Sequence, residues 1–104
     1  MLELRLRDFA AVVDRPGLVL IDCHKPLCAG CGMFTTAFEA VAARHQQHLW
    51  ARLDVEAQPE LAALLRIAST PALVVFRDGE LVLRRESSWT QTALERLVGE
   101  LTRS

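Results

Sequence analysis

The chain has 104 residues, 51% of them apolar and 24% charged, the proportions of one globular domain able to bury a core without disulfide staples or a structural metal. A formal net charge of -1 supplies no broad attraction for nucleic acid or for an anionic membrane surface, so neither is expected as a partner. The opening residues, Met1-Leu2-Glu3-Leu4-Arg5-Leu6-Arg7-Asp8, interleave charge with leucine and lack the apolar stretch of a secretory signal, and no apolar run reaches the length of a bilayer span.

In chain order, Leu2, Leu4 and Leu6 alternate with Glu3, Arg5 and Arg7, which predicts a half-buried edge strand. Asp8 is placed to cap a short helix through Val13 that turns Phe9 and Val12 inward. Arg15-Pro16-Gly17 breaks the chain, and residues 18–22 form an apolar run ending in Asp22, as expected of a central strand covered on both faces. Cys28-Ala29-Gly30-Cys31 stands where this strand hands over to a helix predicted to begin at or just after Cys28. Phe34, Phe38, Val41, Ala42 and His45 mark the buried face of that helix, which fades near residues 46–48. His45 and His48 are expected at the surface near its end.

Residues 49–54 supply another strand, with Trp50 as a bulky member; Trp50 and Trp89 read as core or rim packing. Pro59 opens a helix over residues 59–65. Ser69-Thr70-Pro71 interrupts before a second buried strand at 72–76, and Arg77-Asp78-Gly79-Glu80 has the Asp-Gly pair of a hairpin turn. On the return strand Leu81, Leu83 and Arg85 should face opposite to Val82 and Arg84, the two arginines on solvent. Thr90 caps a last helix with Ala93, Leu94, Leu97, Val98 and Leu101 on its apolar face. The order is βαβαβαββα, an α/β fold with helices on both faces of a mixed sheet.

Two cysteines separated by two residues at a helix start read as a thiol redox pair. Unpartnered backbone N–H groups and the positive end of the dipole favour a thiolate there. Cys28, the outer sulfur, is the expected nucleophile, with its pKa lowered from about 8.5 into the range of about 3.5 to 7.5. Cys31 lies one turn deeper and would resolve the mixed disulfide. Cys23 follows Asp22 on the strand and points to the other face; it reads as a small buried hydrophobe, with a regulatory thiol or metal ligand as the alternative. Three cysteines within nine positions are an odd and clustered count that does not suit a secreted disulfide scaffold, so a reducing, cytoplasmic compartment is expected.

The topology and these separated motifs together resemble the thioredoxin family over nearly the whole chain, from Leu2 to Leu101. Leu20-Ile21-Asp22 looks like the family's central strand with its buried acid, Cys28-Ala29-Gly30-Cys31 like its redox pair followed by Met33, Thr70-Pro71 like its cis-proline, and Phe76-Arg77-Asp78-Gly79-Glu80 like its strand-turn signature. The resemblance implies a thioredoxin fold, a mixed five-stranded sheet flanked by four helices in one domain over residues 1–104. It implies a protein-disulfide reductase cycling through Cys28 and Cys31. It also implies a role for Asp22 as proton acceptor for Cys31, which desolvation at the end of an apolar strand would suit; the alternative is a solvated strand-end acid or a partner of Lys25. A cis Thr70-Pro71 bond would present the Thr70 backbone to an extended substrate segment beside Cys28.

Several positions depart from the family pattern. Leu27 replaces the tryptophan before the first cysteine, Ala29-Gly30 replaces Gly-Pro, His24 replaces another tryptophan, and Ser87 stands in place of a glycine near the substrate groove. Leu27, Ala29, Gly30, Thr70, Pro71 and Ser87 are the candidate substrate-binding residues. With no histidine between the cysteines, a reductant-like poise is expected within a range of about -270 to -120 mV. The implied partners are disulfide-containing proteins and an NADPH-dependent, flavin-containing thioredoxin reductase, with no cofactor on this chain itself.

Two rival readings remain. Cys23, Cys28 and Cys31 have the C-x4-C-x2-C opening of an iron–sulfur ligand set that lacks its fourth cysteine, or with His24 could hold zinc, although a strand that sends Cys23 to the other face prevents convergence. Alternatively, the groove could bind a partner without catalysis.

Overall fold

The computed structural model describes residues 1–103. Among them the elements are β1 (Leu2–Glu3), a 3₁₀ turn (Leu6–Asp8), α1 (Phe9–Val13), β2 (Leu18–His24), α2 (Cys31–Arg44), β3 (Leu49–Asp54), α3 (Pro59–Leu64), β4 (Ala72–Arg77), β5 (Glu80–Arg85) and α4 (Gln91–Thr102). The sheet order is β1-β3-β2-β4-β5, with β1, β2 and β3 parallel and β4 and β5 antiparallel to their neighbours. This is the thioredoxin fold. No helix among the described residues is long and apolar enough to cross a membrane.

β2 is apolar from Leu18 to Ile21 because both of its faces are covered. Val19, Ile21 and Cys23 point into a core shared with Leu53, Leu61 and Val74, while Leu18 and Leu20 point the other way, against Phe34, Phe38, Trp50 and Leu94. Phe34 and Phe38 are fully buried and hold α2 against the sheet. Truncating either to alanine costs about 3–5 kcal/mol.

The first strand is shorter than its leucine alternation suggests. After Glu3, the Leu4 amide still donates to the Arg52 carbonyl at 2.8 Å. The chain then turns, because Asp8 closes a loop with Arg5 through a 2.7 Å side-chain bond and a backbone bond. Asp8 is therefore spent on Arg5 and makes no side-chain cap for α1, and Leu6 is left 40% exposed.

β5 also departs from simple alternation. Its pairing with β4 shifts between Val75 and Phe76, so that Val75 faces Leu83 and Phe76 faces Leu81. The extra residue of this bulge lets Val82 and Leu83 both pack against the α2/α4 core, while Leu81 is exposed. The hairpin turn itself forms where expected, with Asp78 and Gly79 at φ 52° and 85°. Asp78 fastens the turn to the loop before β2 by accepting from the Gly17 amide at 2.8 Å.

At the far end of α2 the two histidines are half-buried rather than surface residues. His45 Nε2 lies 2.6 Å from a Glu95 carboxylate oxygen on α4, and the His45 carbonyl accepts from Trp50 Nε1 at 2.8 Å. These bonds tie helix end, β3 and α4 together. Thr90 caps α4 as expected, its hydroxyl accepting from the Ala93 amide at 3.1 Å.

Candidate active site

β2 carries Asp22 into the interior and releases the chain at His24, and α2 starts at Cys31 rather than at Cys28. Two residues cause the delay. Leu27 has φ 56° and Gly30, in the N-cap position, φ 88°. A chain that enters the left-handed region twice cannot be the first turn of a right-handed helix, so residues 28–30 make a separate turn closed by the Cys31 amide on the Cys28 carbonyl at 3.3 Å. Glycine at position 30 is what permits this. Cys28 thus stands in front of the helix end, and Cys31 occupies its first turn.

The two sulfurs are bonded, at 2.06 Å, across a Cα separation of 5.5 Å. Cys28 is partly exposed and Cys31 only 6% exposed, so one sulfur faces solvent and the other is shielded behind it. The Thr70-Pro71 bond is cis, and the Thr70 hydroxyl donates to Cys28 Sγ at 3.2 Å. Pro71 lies against Gly30: a Cβ there would sit 3.8 Å from the proline Cδ. Leu27 is fully exposed at the rim, Ala29 and Ser87 are also exposed, and Met33 is 78% exposed nearby in sequence.

The loop before Pro71 is held by a residue that carries no motif. Glu86 accepts from the amides of Ala68 and Ser69 and from the Ser69 hydroxyl, at 3.2, 3.1 and 2.8 Å. The Ser69 hydroxyl and the Ala68 amide hold its carboxyl below the usual carboxylate range. Glu86 thereby fixes the segment bearing Ser87 to the proline loop.

Asp22 is fully buried rather than a solvated strand-end acid, and its ion-pair partner is Arg52, not Lys25. Thr35 donates to its Oδ2 at 2.7 Å, Arg52 Nε lies 3.5 Å from the same oxygen, and Arg52 also donates to Thr35 at 3.4 Å. Oδ1 has no partner among the described residues. Burial pushes the Asp22 carboxyl above the usual range against the opposing pull of the Thr35 hydroxyl and the Arg52 charge. Thr35 carries a weak sequence signal, four residues past Cys31 on the same helix face, whereas Arg52 is picked out only by the register that sets it opposite Asp22.

Cys23 sits in the opposite core, fully buried, its thiol pushed up to about 12 chiefly by burial. The sheet separates it from the Cys28–Cys31 pair, so the three cysteines do not converge on one point.

The sequence profile of the thioredoxin family matches residues 1–100. The thioredoxin of Chlamydia muridarum is 31% identical over 100 residues, 96% of this chain and 98% of that protein. The bifunctional thioredoxin reductase/thioredoxin of Mycobacterium leprae is 32% identical over 89 residues, 85% of this chain and 19% of that protein. Among solved structures, a thioredoxin variant from Halobacterium salinarum, 26% identical, superposes with a TM-score of 0.88 over 99% of this chain and 91% of that one. A match that runs through the whole sheet and spans the bonded cysteines places the chain in the thioredoxin family, as a thiol-disulfide oxidoreductase whose redox disulfide is Cys28–Cys31.

Proposed function

We propose that this chain, acting as a single domain over residues 1–104, reduces protein disulfides with Cys28 as nucleophile, Cys31 as resolving thiol and Asp22 as proton acceptor. The observation that carries the reading is the pairing of a half-exposed sulfur with a shielded one on the helix face that also reaches a fully buried carboxylate. In the dithiol form, the Cys28 thiolate attacks a substrate disulfide, forms a mixed disulfide and expels one substrate thiolate. Cys31 gives up its proton toward Asp22 and attacks Cys28 Sγ, which releases the second substrate sulfur and leaves the Cys28–Cys31 disulfide. Two electrons pass to the substrate.

Leu27, Ala29, Gly30, Thr70, Pro71 and Ser87 form the surface that receives an extended substrate segment, with the Thr70 backbone as its pairing edge. The Cys-Ala-Gly-Cys pair works in the reducing direction in the cytoplasm. An NADPH-dependent thioredoxin reductase recharges it, a link supported by the relative in which a reductase and a thioredoxin share one chain. Insulin reduction driven by dithiothreitol tests the reading: the native chain accelerates precipitation, and Cys28→Ser falls to the uncatalysed rate. Equal rates for the two would refute it.

A further inference from the structure

Beside the redox disulfide, on the side of His24 and Lys25, lies a cavity of about 490 Å³, within the range of about 300–1,000 Å³ common for small-molecule sites. Cys28 and Cys31 form part of its wall, and its other polar side chains are Lys25, His24, Arg52 and Thr35. No acidic residue lines it among the described residues. Two carboxylates lie nearby, and both are engaged. Asp22 sits behind Arg52 in a fully buried position. Asp54, opposite His24 in the register, accepts from the amides of Glu56 and Ala57 at 2.9 and 3.1 Å.

The lining therefore carries two cationic side chains, Lys25 and Arg52, and no carboxylate of its own among the described residues. Lys25 is exposed and makes no salt bridge among the described residues, Arg52 reaches Asp22 at 3.5 Å and Thr35 at 3.4 Å, and His24 Nε2 is buried without a partner. In the tautomer that bears hydrogen on Nε2, His24 offers a donor that nothing in the fold uses. An anion entering the cavity would meet Lys25 and Arg52 in the same wall as Cys28 and Cys31.

We propose that this cavity binds the carboxylate-bearing arm of a low-molecular-weight disulfide, and that the reduced protein prefers small disulfides carrying anionic groups over neutral or cationic ones. The inference rests on the redox reading above and adds a substrate class to it. The step balances: the dithiol protein and RS–SR give the Cys28–Cys31 disulfide and two RSH, through a Cys28–S–S–R intermediate whose arm R occupies the cavity.

The test uses protein reduced with dithiothreitol, freed of it, and mixed at pH 7 with dithiodipropionate, hydroxyethyl disulfide or cystamine. Each rate is divided by that of free dithiothreitol with the same disulfide, which removes leaving-group differences. The anionic-to-neutral ratio should exceed about tenfold at low salt, fall as salt is added, and collapse in Lys25→Glu, while cystamine lies below the neutral disulfide. Equal normalised rates for the three disulfides, or a preference that survives both salt and Lys25→Glu, would overturn the proposal and leave the redox reading standing. A protein that none of the three oxidises would remove both.

Discussion

At the scale of single residues, the chemistry turns on how Asp22 is held. Thr35 and Arg52 both engage Oδ2, and Oδ1 has no partner among the described residues, so in the proposed mechanism Oδ1 is the oxygen open to a proton. Asp22→Asn should slow insulin reduction at pH 7 by about 100-fold, the lower end of what a positioned base contributes. Its effect on stability has the opposite sign. Because burial raises the native carboxyl above its ordinary value of 3.8, the native state holds the proton more tightly than the unfolded chain. The wild type therefore loses stability as pH rises from that value through the raised native one. Asp22→Asn lacks this loss, so urea unfolding should show it more stable than wild type at pH 7 and not at pH 3. The gain is about 1.4 kcal/mol for every tenfold by which folding tightens the carboxyl's hold on its proton. A variant no more stable than wild type at pH 7 would mean that the carboxylate is not desolvated. Thr35→Ala removes a bond to the charged form worth about 1.5–3 kcal/mol. It should move the acid limb of the pH–rate profile to higher pH, and Thr35→Ser should restore it.

At the scale of elements, the delayed start of α2 is the feature that sets the redox pair. The cysteine spacing suggested a helix beginning near Cys28, because two intervening residues match one helical turn; the left-handed Leu27 and Gly30 decide otherwise. Backbone handedness at a glycine leaves no trace in apolar periodicity, which is why the spacing alone misplaced the boundary. Gly30→Ala tests the point cleanly, since the added Cβ would meet only ordinary contact with Pro71. The cost is the left-handed backbone alone, about 1–2 kcal/mol in denaturant unfolding. No loss would show that the segment is free to adopt another conformation. The bulge in β5 was equally invisible, because Val82 and Leu83 reach the same core only through a local break in alternation. By contrast, the Thr90 cap and the Asp78-Gly79 turn were legible, since each depends on chemistry within four residues.

For the whole molecule, the strands and helices emerged in the right order because the apolar runs of β2 and β4 and the helical spacing of α2 and α4 are set by burial. The mixed sheet places Cys23 in one core and packs α2, the helix that carries Cys31, on the other, a division in keeping with strand alternation. What a linear reading could not supply were contacts between distant segments: Thr35 and Arg52 on Asp22, Glu86 on the proline loop, and His45 on Glu95. None of these has a motif, and each exists only once the sheet has formed. The proposed reduction requires that Cys28 make the bond to substrate and Cys31 break it. Trapping with Cys31→Ser and a disulfide-bonded protein such as insulin, read by intact mass and peptide mapping, measures this most directly. The expected result is a stable mixed disulfide on Cys28 in Cys31→Ser and no adduct in Cys28→Ser; an adduct on Cys23, or equal adducts in both variants, would contradict it.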